Sequence, residues 1–183
     1  MFRKKYIPNY LSCLRLLLVP VYLWLFFGLE APTGTRLAAA VLILCAATDA
    51  LDGHLARKNG WITDLGKLLD PLADKLASTA ALVALSVADL LPWWITSLAI
   101  LKEVVMILGA AFILGKKKIV VASVWYGKLA TVLFYVTVLA LHFFPMMPDL
   151  LKTVLHLTLF LSMAGAALLY LFHYLRNLPS AKS

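Results

Sequence analysis

Charged residues are scarce in this chain: they make up 14% of its 183 residues, while 63% are hydrophobic. Soluble globular domains carry about 25% charged and about 45–50% apolar residues. The scarcity of charge therefore excludes an ordinary water-soluble domain. Because a membrane-spanning helix needs about 20 apolar residues, this length accommodates six such helices with short loops. We expect a single membrane domain over residues 1–183.

Three further absences narrow the class of protein. The only two cysteines, Cys13 and Cys45, lie in apolar runs, which argues against a disulfide framework or a thiolate metal site. No basic stripe with interleaved aromatic residues is present, so we expect no nucleic-acid partner. The first apolar run lacks a clear signal-peptide cleavage site, and no long Arg- and Ser-rich transit peptide precedes it. We therefore expect a retained first span in a prokaryotic plasma membrane.

Apolar runs separated by Pro, Gly and Asn predict six transmembrane helices. Each run must be helical because lipid offers no hydrogen-bond partner to backbone N–H and C=O groups. The predicted fold class is all-α and polytopic, with a cytoplasmic juxtamembrane segment over residues 1–10. The predicted helices cover residues 11–28, 37–57, 69–91, 93–115, 120–144 and 150–175.

The distribution of Lys and Arg predicts the orientation in the membrane. The chain has 17 of these residues against 9 acidic ones. Twelve are assigned to one side of the six helices and only Arg36 and Lys152 to the other, while Arg15, Lys75 and Lys102 lie within or near helices. Because cytoplasmic loops collect positive residues, we expect both termini and the loop after the second helix to face the cytoplasm. The residues assigned to the cytoplasmic side are Arg3, Lys4, Lys5, Arg57, Lys58, Lys67, Lys116, Lys117, Lys118, Lys128, Arg176 and Lys182.

The acidic residues cluster in one stretch of the chain. Asp49 and Asp52 are three residues apart, and Asp70 and Asp74 are four apart. Either spacing places both members of a pair on one face of a helix. The first pair ends the second predicted helix and the second pair opens the third. Since a short loop joins these helices, we expect the four carboxylates to converge near the cytoplasmic surface.

Four converging carboxylates repel one another and are costly beside lipid. Divalent cations with oxygen ligands would offset this charge, and two such ions can clamp a phosphate during its transfer. Gly53 and Gly66 would let a nucleotide or pyrophosphate approach the backbone, and Arg57 offers a planar fork for phosphate. The alternative is that the aspartates cap helices or pair with the neighbouring cations Arg57, Lys58, Lys67 and Lys75.

This stretch reads Asp-x-x-Asp-Gly-x-x-Ala-Arg, then eight residues, then Gly-x-x-x-Asp-x-x-x-Asp. It resembles the signature of the CDP-alcohol phosphotransferases, and all eight fixed positions match. The resemblance implies two divalent cations, Mg²⁺ or Mn²⁺, and a general base at Asp74. The metal ligands that it implies are Asp49, Asp52, Asp70 and Asp74. The CDP-binding residues that it implies are Asp52, Gly53, Ala56, Arg57 and Gly66.

The same resemblance implies the reaction. The phosphatidyl group of CDP-diacylglycerol would move to the hydroxyl of an alcohol acceptor, and CMP would leave. Asp74 would take the hydroxyl proton. The active site would lie at the cytoplasmic face, with the lipid tails in a groove between helices that opens to the bilayer.

The sequence Pro8-Asn9-x-x-Ser12-x-x-Arg15 is similar to the opening of phosphatidylglycerophosphate synthases and of cardiolipin synthases that use CDP-diacylglycerol. Ser12 replaces a commoner Thr and keeps the hydroxyl. Asn9, Ser12 and Arg15 fall on one broad helix face, and the resemblance makes them candidates for binding the phosphate of the acceptor or the lipid. The alternative is a helix cap together with an Arg that extends to the membrane interface.

The acceptor depends on cations further along the chain. Lys102 and Glu103 lie inside the fourth predicted helix, where charge is expensive and usually functional; a purely structural ion pair is the alternative. Lys128 opens the fifth helix. Lys102 and Lys128 are candidate acceptor residues, although neither resembling subfamily matches fully at these positions. We expect glycerol-3-phosphate as the acceptor, with phosphatidylglycerol (a cardiolipin synthase) or another alcohol as alternatives.

Two other classes of protein are alternatives to a transferase. Acids in membrane helices also mark the ion paths of cation transporters, but here they lie at one edge, and transport leaves the glycine–arginine pattern unexplained. An inactive relative is disfavoured because no position of the motif is lost. Small residues in the third and fourth helices would permit a homodimer. They are Ala77, Ala81, Ala84 and Gly109.

Overall fold

The computed structural model describes residues 6–61, 64–114 and 125–176. Over these ranges the chain is all-helical, with six α-helices and no β-strand, which confirms the predicted number and type of elements. The helices are α1 (Ile7–Gly28), α2 (Thr33–Asn59), α3 (Asp64–Val87), α4 (Trp93–Leu114), α5 (Trp125–Phe143) and α6 (Asp149–Arg176).

The first three helices begin four or five residues earlier than their apolar runs predict. Their first turns are polar or contain Pro, so a search for apolar runs does not detect them. In α1, Tyr6 is the N-cap and Pro8 lies in the first turn, where its missing N–H costs no hydrogen bond. The predicted juxtamembrane segment is therefore helical from Ile7 onwards, and residues 1–5 lie outside the described residues.

The third helix ends at Val87 rather than at the predicted residue 91. Asp89 has a φ of 55°, in the left-handed region that terminates helices. The backbone N–H groups of Leu90 and Leu91 then donate to the carbonyl oxygen of Leu85 at 2.9 and 3.2 Å. These bonds satisfy a carbonyl that the helix end would otherwise leave open.

Three stretches of the described helices are long and apolar enough to cross a membrane: Asn9–Gly28, Thr33–Gly53 and Asp149–Leu169. A shorter apolar helix covers Gly127–Phe143. The chain is thus a membrane protein by the length and composition of its helices. Six spans, and a cytoplasmic location of both termini, stay predictions.

The chain divides into two compact units, Met1–Leu91 with Leu139–Pro145, and Pro92–Val138 with Met146–Ser183, and the structure describes each of them in part. The expectation of one membrane domain over the whole chain stays a prediction. In the first unit, α1 packs against both α2 and α3, while α2 and α3 contact each other less. Small buried residues permit this close approach of the helices. They are Ala38, Ala39, Ala73, Ala77, Ala81 and Ala84.

Ala77, Ala81 and Ala84 therefore serve packing within the chain. All three are buried inside the first unit, so their surface is not open to a second copy. The burial of the fourth residue, Gly109, lies outside what the structure describes. The homodimer stays a prediction that these three alanines do not support.

A tight turn joins α1 to α2 and requires glycine at position 34. A Cβ added to Gly34 would lie 2.6 Å from the backbone oxygen of Leu29 and 2.7 Å from that of Leu25. Both distances are too short for real atoms, and both neighbours are backbone. Gly34 therefore allows the close approach that sets how α2 leaves α1.

In the second unit, α4 packs against α6. The rings of Trp94 and Phe160 meet edge to face with their centroids 5.3 Å apart, a favourable arrangement for aromatic pairs. Beside them lies a cavity of about 150 Å³ whose wall is apolar apart from Lys102. Its lining residues are Ile95, Leu98, Lys102, Phe160, Met163, Ala164 and Ala167.

Candidate functional site

One face of α1 is polar near its start, although the helix is apolar enough to span a membrane. Asn9, Ser12 and Arg15 lie on this face at intervals of three residues, and all three are buried. The face continues with the buried aromatic residues Tyr22 and Phe26. Since α1 packs against α2 and α3, its polar face is enclosed by the two helices that carry the aspartates.

Arg15 binds both aspartates of the first pair. Its Nη1 lies 2.6 Å from Oδ1 of Asp49, and its Nη2 donates to Oδ2 of Asp52. Arg15 is 1% exposed and Asp52 is 2% exposed, whereas the side chain of Asp49 is 48% exposed. A buried charge must be paired to be tolerated, and the planar guanidinium can bond two carboxylates at once. Arg15 and Asp52 thus require each other.

Ser12 connects α1 to the second aspartate pair. Its hydroxyl donates to Oδ1 of Asp70 on α3. Because Ser12 and Arg15 are one turn apart, α1 links Asp49 and Asp52 of α2 to Asp70 of α3. The structure therefore brings three of the four predicted metal-binding aspartates into one polar network, which we call the aspartate network.

Asp74 lies one helical turn after Asp70, on the same face of α3, and is half-buried. Its backbone carbonyl accepts a hydrogen bond from the hydroxyl of Ser78 at 2.9 Å. Asp74 thus follows Asp70, a member of the aspartate network, by one turn on the same face of α3. Its role as a base stays a prediction.

The alternative interpretation of the N-terminal motif is wrong. Tyr6 is the N-cap of α1, and Asn9 lies inside the first turn. Arg15 does not extend to a membrane interface, because it is buried and bound to two carboxylates. The ion pairs predicted as the alternative to a metal site involve cations near α2 and α3 in the sequence, whereas the observed partner of Asp49 and Asp52 is Arg15 on α1.

The structure describes some, but not all, of the residues predicted to bind CDP. Gly53 follows Asp52 on α2 and is half-buried, and Gly66 is buried in the first turns of α3, one turn before Asp70. The side chains of Ala56 and Arg57 lie outside the described residues. A nucleotide site at these positions stays a prediction.

Lys102 and Lys128, the predicted acceptor residues, belong to the second unit. Lys102 Nζ lies 2.7 Å from Oε1 of Glu103, so the ion pair expected as an alternative does form. Lys102 also lines the cavity between α4 and α6. Lys128 is exposed in the first turn of α5. An acceptor role of either lysine stays a prediction.

A second buried polar contact in the first unit, between Tyr22 and His142, was not predicted from the sequence. The hydroxyl of Tyr22 lies 3.0 Å from Nε2 of His142, and both residues are buried. The ring of Phe26 packs edge-on against His142 with centroids 5.4 Å apart. This contact joins the middle of α1 to the end of α5. The partners are 120 positions apart in the chain, so no local sequence pattern predicts the contact.

Comparison with known proteins identifies the family. Over residues 5–170 the chain matches the family model described as CDP-alcohol phosphatidyltransferase. The chain belongs to the CDP-alcohol phosphatidyltransferase family. The resemblance seen in the aspartate motif is thereby confirmed, and this member of the family is a transferase of phospholipid biosynthesis in a membrane. Family membership also removes the reason for considering a cation transporter.

Several curated relatives of this CDP-alcohol phosphatidyltransferase are similar over much of its length. A "probable phosphatidylglycerophosphate synthase" of Mycobacterium tuberculosis is 38% identical over 166 residues, which cover 89% of this chain and 75% of that protein. A CDP-diacylglycerol–glycerol-3-phosphate 3-phosphatidyltransferase of Bacillus subtilis is 37% identical over 136 residues, 68% of this chain and 70% of that protein. A CMP-forming cardiolipin synthase of Streptomyces coelicolor is 42% identical over 103 residues, 55% of this chain and 48% of that protein.

The family generally uses divalent metals. Among the described residues, no group of three or more His, Cys, Asp or Glu side chains is arranged to hold a metal ion as it stands. The oxygens of Asp49, Asp52 and Asp70 instead accept hydrogen bonds from Arg15 and Ser12. The donor set nevertheless fits a hard divalent cation, because it consists of carboxylate oxygens, and because the half-exposed Asp49 gives access from outside.

Proposed function

We propose that this enzyme transfers the phosphatidyl group of CDP-diacylglycerol to the hydroxyl of an acceptor and releases CMP. The observation that carries the proposal is the aspartate network, in which α1 joins aspartates of α2 and α3 that are about 20 residues apart. Family membership supports the reaction class. The name of the relative from B. subtilis supports CDP-diacylglycerol as the donor, and the name of the relative from M. tuberculosis supports phosphatidylglycerophosphate as the lipid product.

In this proposal Asp49, Asp52, Asp70 and Asp74 hold two divalent cations, Mg²⁺ or Mn²⁺. When bound, the cations neutralise the negative charge of the diphosphate and of the leaving CMP. The first three residues already lie in one network. Asp74 shares a helix face with Asp70, since the two are four residues apart.

The chain's own residues orient the donor and move the proton. Asp52, Gly53, Ala56, Arg57 and Gly66 bind the CDP portion. The acceptor oxygen forms a bond to the phosphorus that carries diacylglycerol, and the bond from that phosphorus to the bridging oxygen breaks. CMP leaves with the electron pair of that bond, and Asp74 takes the proton of the acceptor hydroxyl.

We propose glycerol-3-phosphate as the acceptor. The relatives from M. tuberculosis and B. subtilis, whose names include this acceptor or its product, match 89% and 68% of the chain, whereas the cardiolipin synthase matches 55%. The 42% identity to that synthase is the observation that favours phosphatidylglycerol as the second candidate. Candidate residues for binding the acceptor or a lipid phosphate are Asn9, Ser12, Arg15, Lys102 and Lys128.

The proposed setting is a prokaryotic plasma membrane. Six transmembrane helices would place both termini and the aspartate network at the cytoplasmic face, because Lys and Arg collect in the loops assigned to that side. Bacterial relatives support this setting. Water-soluble glycerol-3-phosphate and CMP would then enter and leave on the side where the cell holds them.

The test is a reaction with purified protein in detergent, Mg²⁺, CDP-diacylglycerol and one acceptor at a time. We expect CMP release with glycerol-3-phosphate, and a phosphatidylglycerophosphate product identified by mass spectrometry. Asp74→Asn should lower the rate by about 10²–10⁴-fold because it removes the general base. Asp70→Asn should abolish turnover because it removes a proposed metal ligand. Chelation of Mg²⁺ should stop the reaction, and added Mn²⁺ or Mg²⁺ should restore it.

The matched control is Asp149→Asn, since Asp149 is a fully exposed aspartate at the start of α6. It should leave the rate unchanged. Equal rates of CMP release from wild type, Asp70→Asn and Asp74→Asn would contradict the proposal. Release with phosphatidylglycerol but not with glycerol-3-phosphate would replace the first acceptor by the second.

A further inference from the structure

We propose that Arg15 is a built-in counterion that competes with the divalent cations for Asp49 and Asp52. Once displaced, its guanidinium binds phosphate oxygens of the nucleoside diphosphate. The cation and the nucleotide then bind cooperatively, and Arg15 is the residue that couples them. This inference rests on the proposed function, from which it takes the divalent cations.

The first observation is that Arg15 occupies the proposed metal ligands. It bonds one oxygen of Asp49 and one of Asp52 with its two terminal nitrogens. The described aspartates are correspondingly not arranged as a ready metal site. A cation of charge +2 placed on the same carboxylates would meet the positive guanidinium at contact distance. Electrostatic repulsion therefore opposes simultaneous occupation by both.

The second observation is an unused donor. Nε of Arg15 is buried and has no hydrogen-bond partner within the described part of the chain. A buried N–H without a partner is unfavourable, and guanidinium groups commonly bind carboxylates or phosphates through two parallel N–H bonds. The network thus retains a donor that a further oxygen, such as one of a phosphate, would satisfy.

The third observation is that Arg15 cannot move its charge into water, because it is 1% exposed and lies within a span-forming helix. A cation that took Asp49 and Asp52 alone would strand a buried positive charge. A diphosphate that arrived with the cation would supply new anionic partners. The cation and the diphosphate should therefore each raise the affinity for the other, as linkage requires.

The test on the wild-type protein measures Mn²⁺ binding by titration calorimetry on the full chain in detergent. The titration is run with and without saturating CDP, and the free Mn²⁺ is corrected for Mn²⁺–CDP complexes. We expect Mn²⁺ to bind at least about 10-fold more tightly when CDP is present. Mn²⁺ and CDP together should raise Tm by more than the sum of their separate shifts.

The variant test uses Arg15→Gln, which removes the charge and keeps a hydrogen-bonding side chain. It should bind Mn²⁺ without CDP at least about 10-fold more tightly than wild type, and CDP should then change that affinity by less than about 2-fold. Arg15→Lys keeps the charge and loses the fork, so it should retain part of the coupling. The matched control is Arg36→Gln, since Arg36 is exposed at the start of α2. It should behave as wild type.

Wild-type Mn²⁺ affinity that does not depend on CDP would overturn the proposal. So would an Arg15→Gln protein that binds Mn²⁺ no more tightly than wild type. If Arg15→Gln does not fold, the wild-type titration and Arg15→Lys decide. CMP release is measured on the same preparations. An active protein without coupling refutes only the role of Arg15, and coupling in an inactive protein refutes only the transfer reaction.

Discussion

The two units of the molecule keep charge in an apolar chain in different ways. In the first unit, Arg15 on α1 is bound to Asp49 and Asp52 on α2, which lie 34 and 37 residues further along the chain. In the second unit, Lys102 and Glu103 are neighbours on one helix and pair with each other. The first arrangement exists only when separate helices are correctly packed. The second can form in an isolated helix.

This difference assigns different roles to the two sets of charges. Burial of Arg15 and Asp52 makes their pairing a condition for folding the first unit, because neither has access to water. The side chains of Lys102 and Glu103 are 29% and 18% exposed, so each retains an alternative to its partner. Charge in the first unit specifies which helices pack together. In the second unit, Lys102 lines a cavity, and its pairing with Glu103 does not depend on which helices pack together.

The largest expected difference in the free energy of unfolding is between a variant that loses a cation of the first unit and one that loses a cation of the second unit. Arg15→Met leaves Asp52 buried without its partner and should lower the free energy of unfolding by about 3–5 kcal/mol. Lys102→Met removes a half-exposed pair and should cost about 1 kcal/mol or less. Both values are measured by SDS-induced unfolding in mixed micelles without divalent cations. Equal losses in the two variants would remove the contrast between the units.

A double substitution sharpens this comparison. If the cost of Arg15→Met comes from the stranded carboxylate, adding Asp52→Leu should recover part of the loss, because no buried charge then remains. Adding Asp149→Asn instead should recover nothing, since Asp149 is exposed. Additive losses for Arg15→Met and Asp52→Leu would show that the two residues act independently.

A smaller difference in stability is expected between alanine substitutions of one glycine in each unit. Gly34→Ala would force a Cβ to within 2.7 Å of two backbone oxygens, and should destabilise the protein by about 1–3 kcal/mol. A Cβ at Gly165 on α6 meets no atom within 4 Å, so Gly165→Ala should stabilise by about 0.5–1 kcal/mol through lower backbone entropy. The same unfolding assay measures both. A neutral Gly34→Ala would mean that the turn between α1 and α2 can relax.

The smallest effect concerns the buried contact between Tyr22 and His142. Tyr22→Phe removes the hydroxyl and should lower the free energy of unfolding by about 0.6 kcal/mol, the average for hydrogen bonds between membrane helices. Tyr6→Phe is the matched control, since Tyr6 is exposed at the start of α1, and it should have no effect. A loss of about 3 kcal/mol or more would make this contact as important to stability as the Arg15 pair.

The sequence predicted the helices well because each is an apolar run, and apolar runs are a local property. It predicted their starts less well. The first turns of α2 and α3 contain Thr, Gly and Asp, which an apolar criterion does not count as helix. The end of α3 depends on the left-handed backbone conformation of Asp89. This conformation is uncommon for residues other than Gly, so an Asp in the sequence does not predict it.

The spacing of the aspartates predicted which faces of α2 and α3 carry the site. It could not identify Arg15 as their partner, because that contact depends on α1 packing against both helices. One signal was present: Ser12 and Arg15 are three residues apart, the same interval that separates Asp49 from Asp52. Two polar faces of equal spacing in otherwise apolar helices are good candidates for mutual contact. The Tyr22–His142 contact offered no comparable spacing.

The buried bonds of Arg15 also restrict how the protein can vary over evolutionary time. A lineage that replaced Asp52 with a neutral residue would take away one of the two carboxylates that Arg15 binds and leave the half-exposed Asp49. A lineage that lost Arg15 would carry an aspartate without a counterion inside the fold. We therefore expect substitutions at positions 15, 49 and 52 to be coupled, because a change at one leaves a charge at another without its partner.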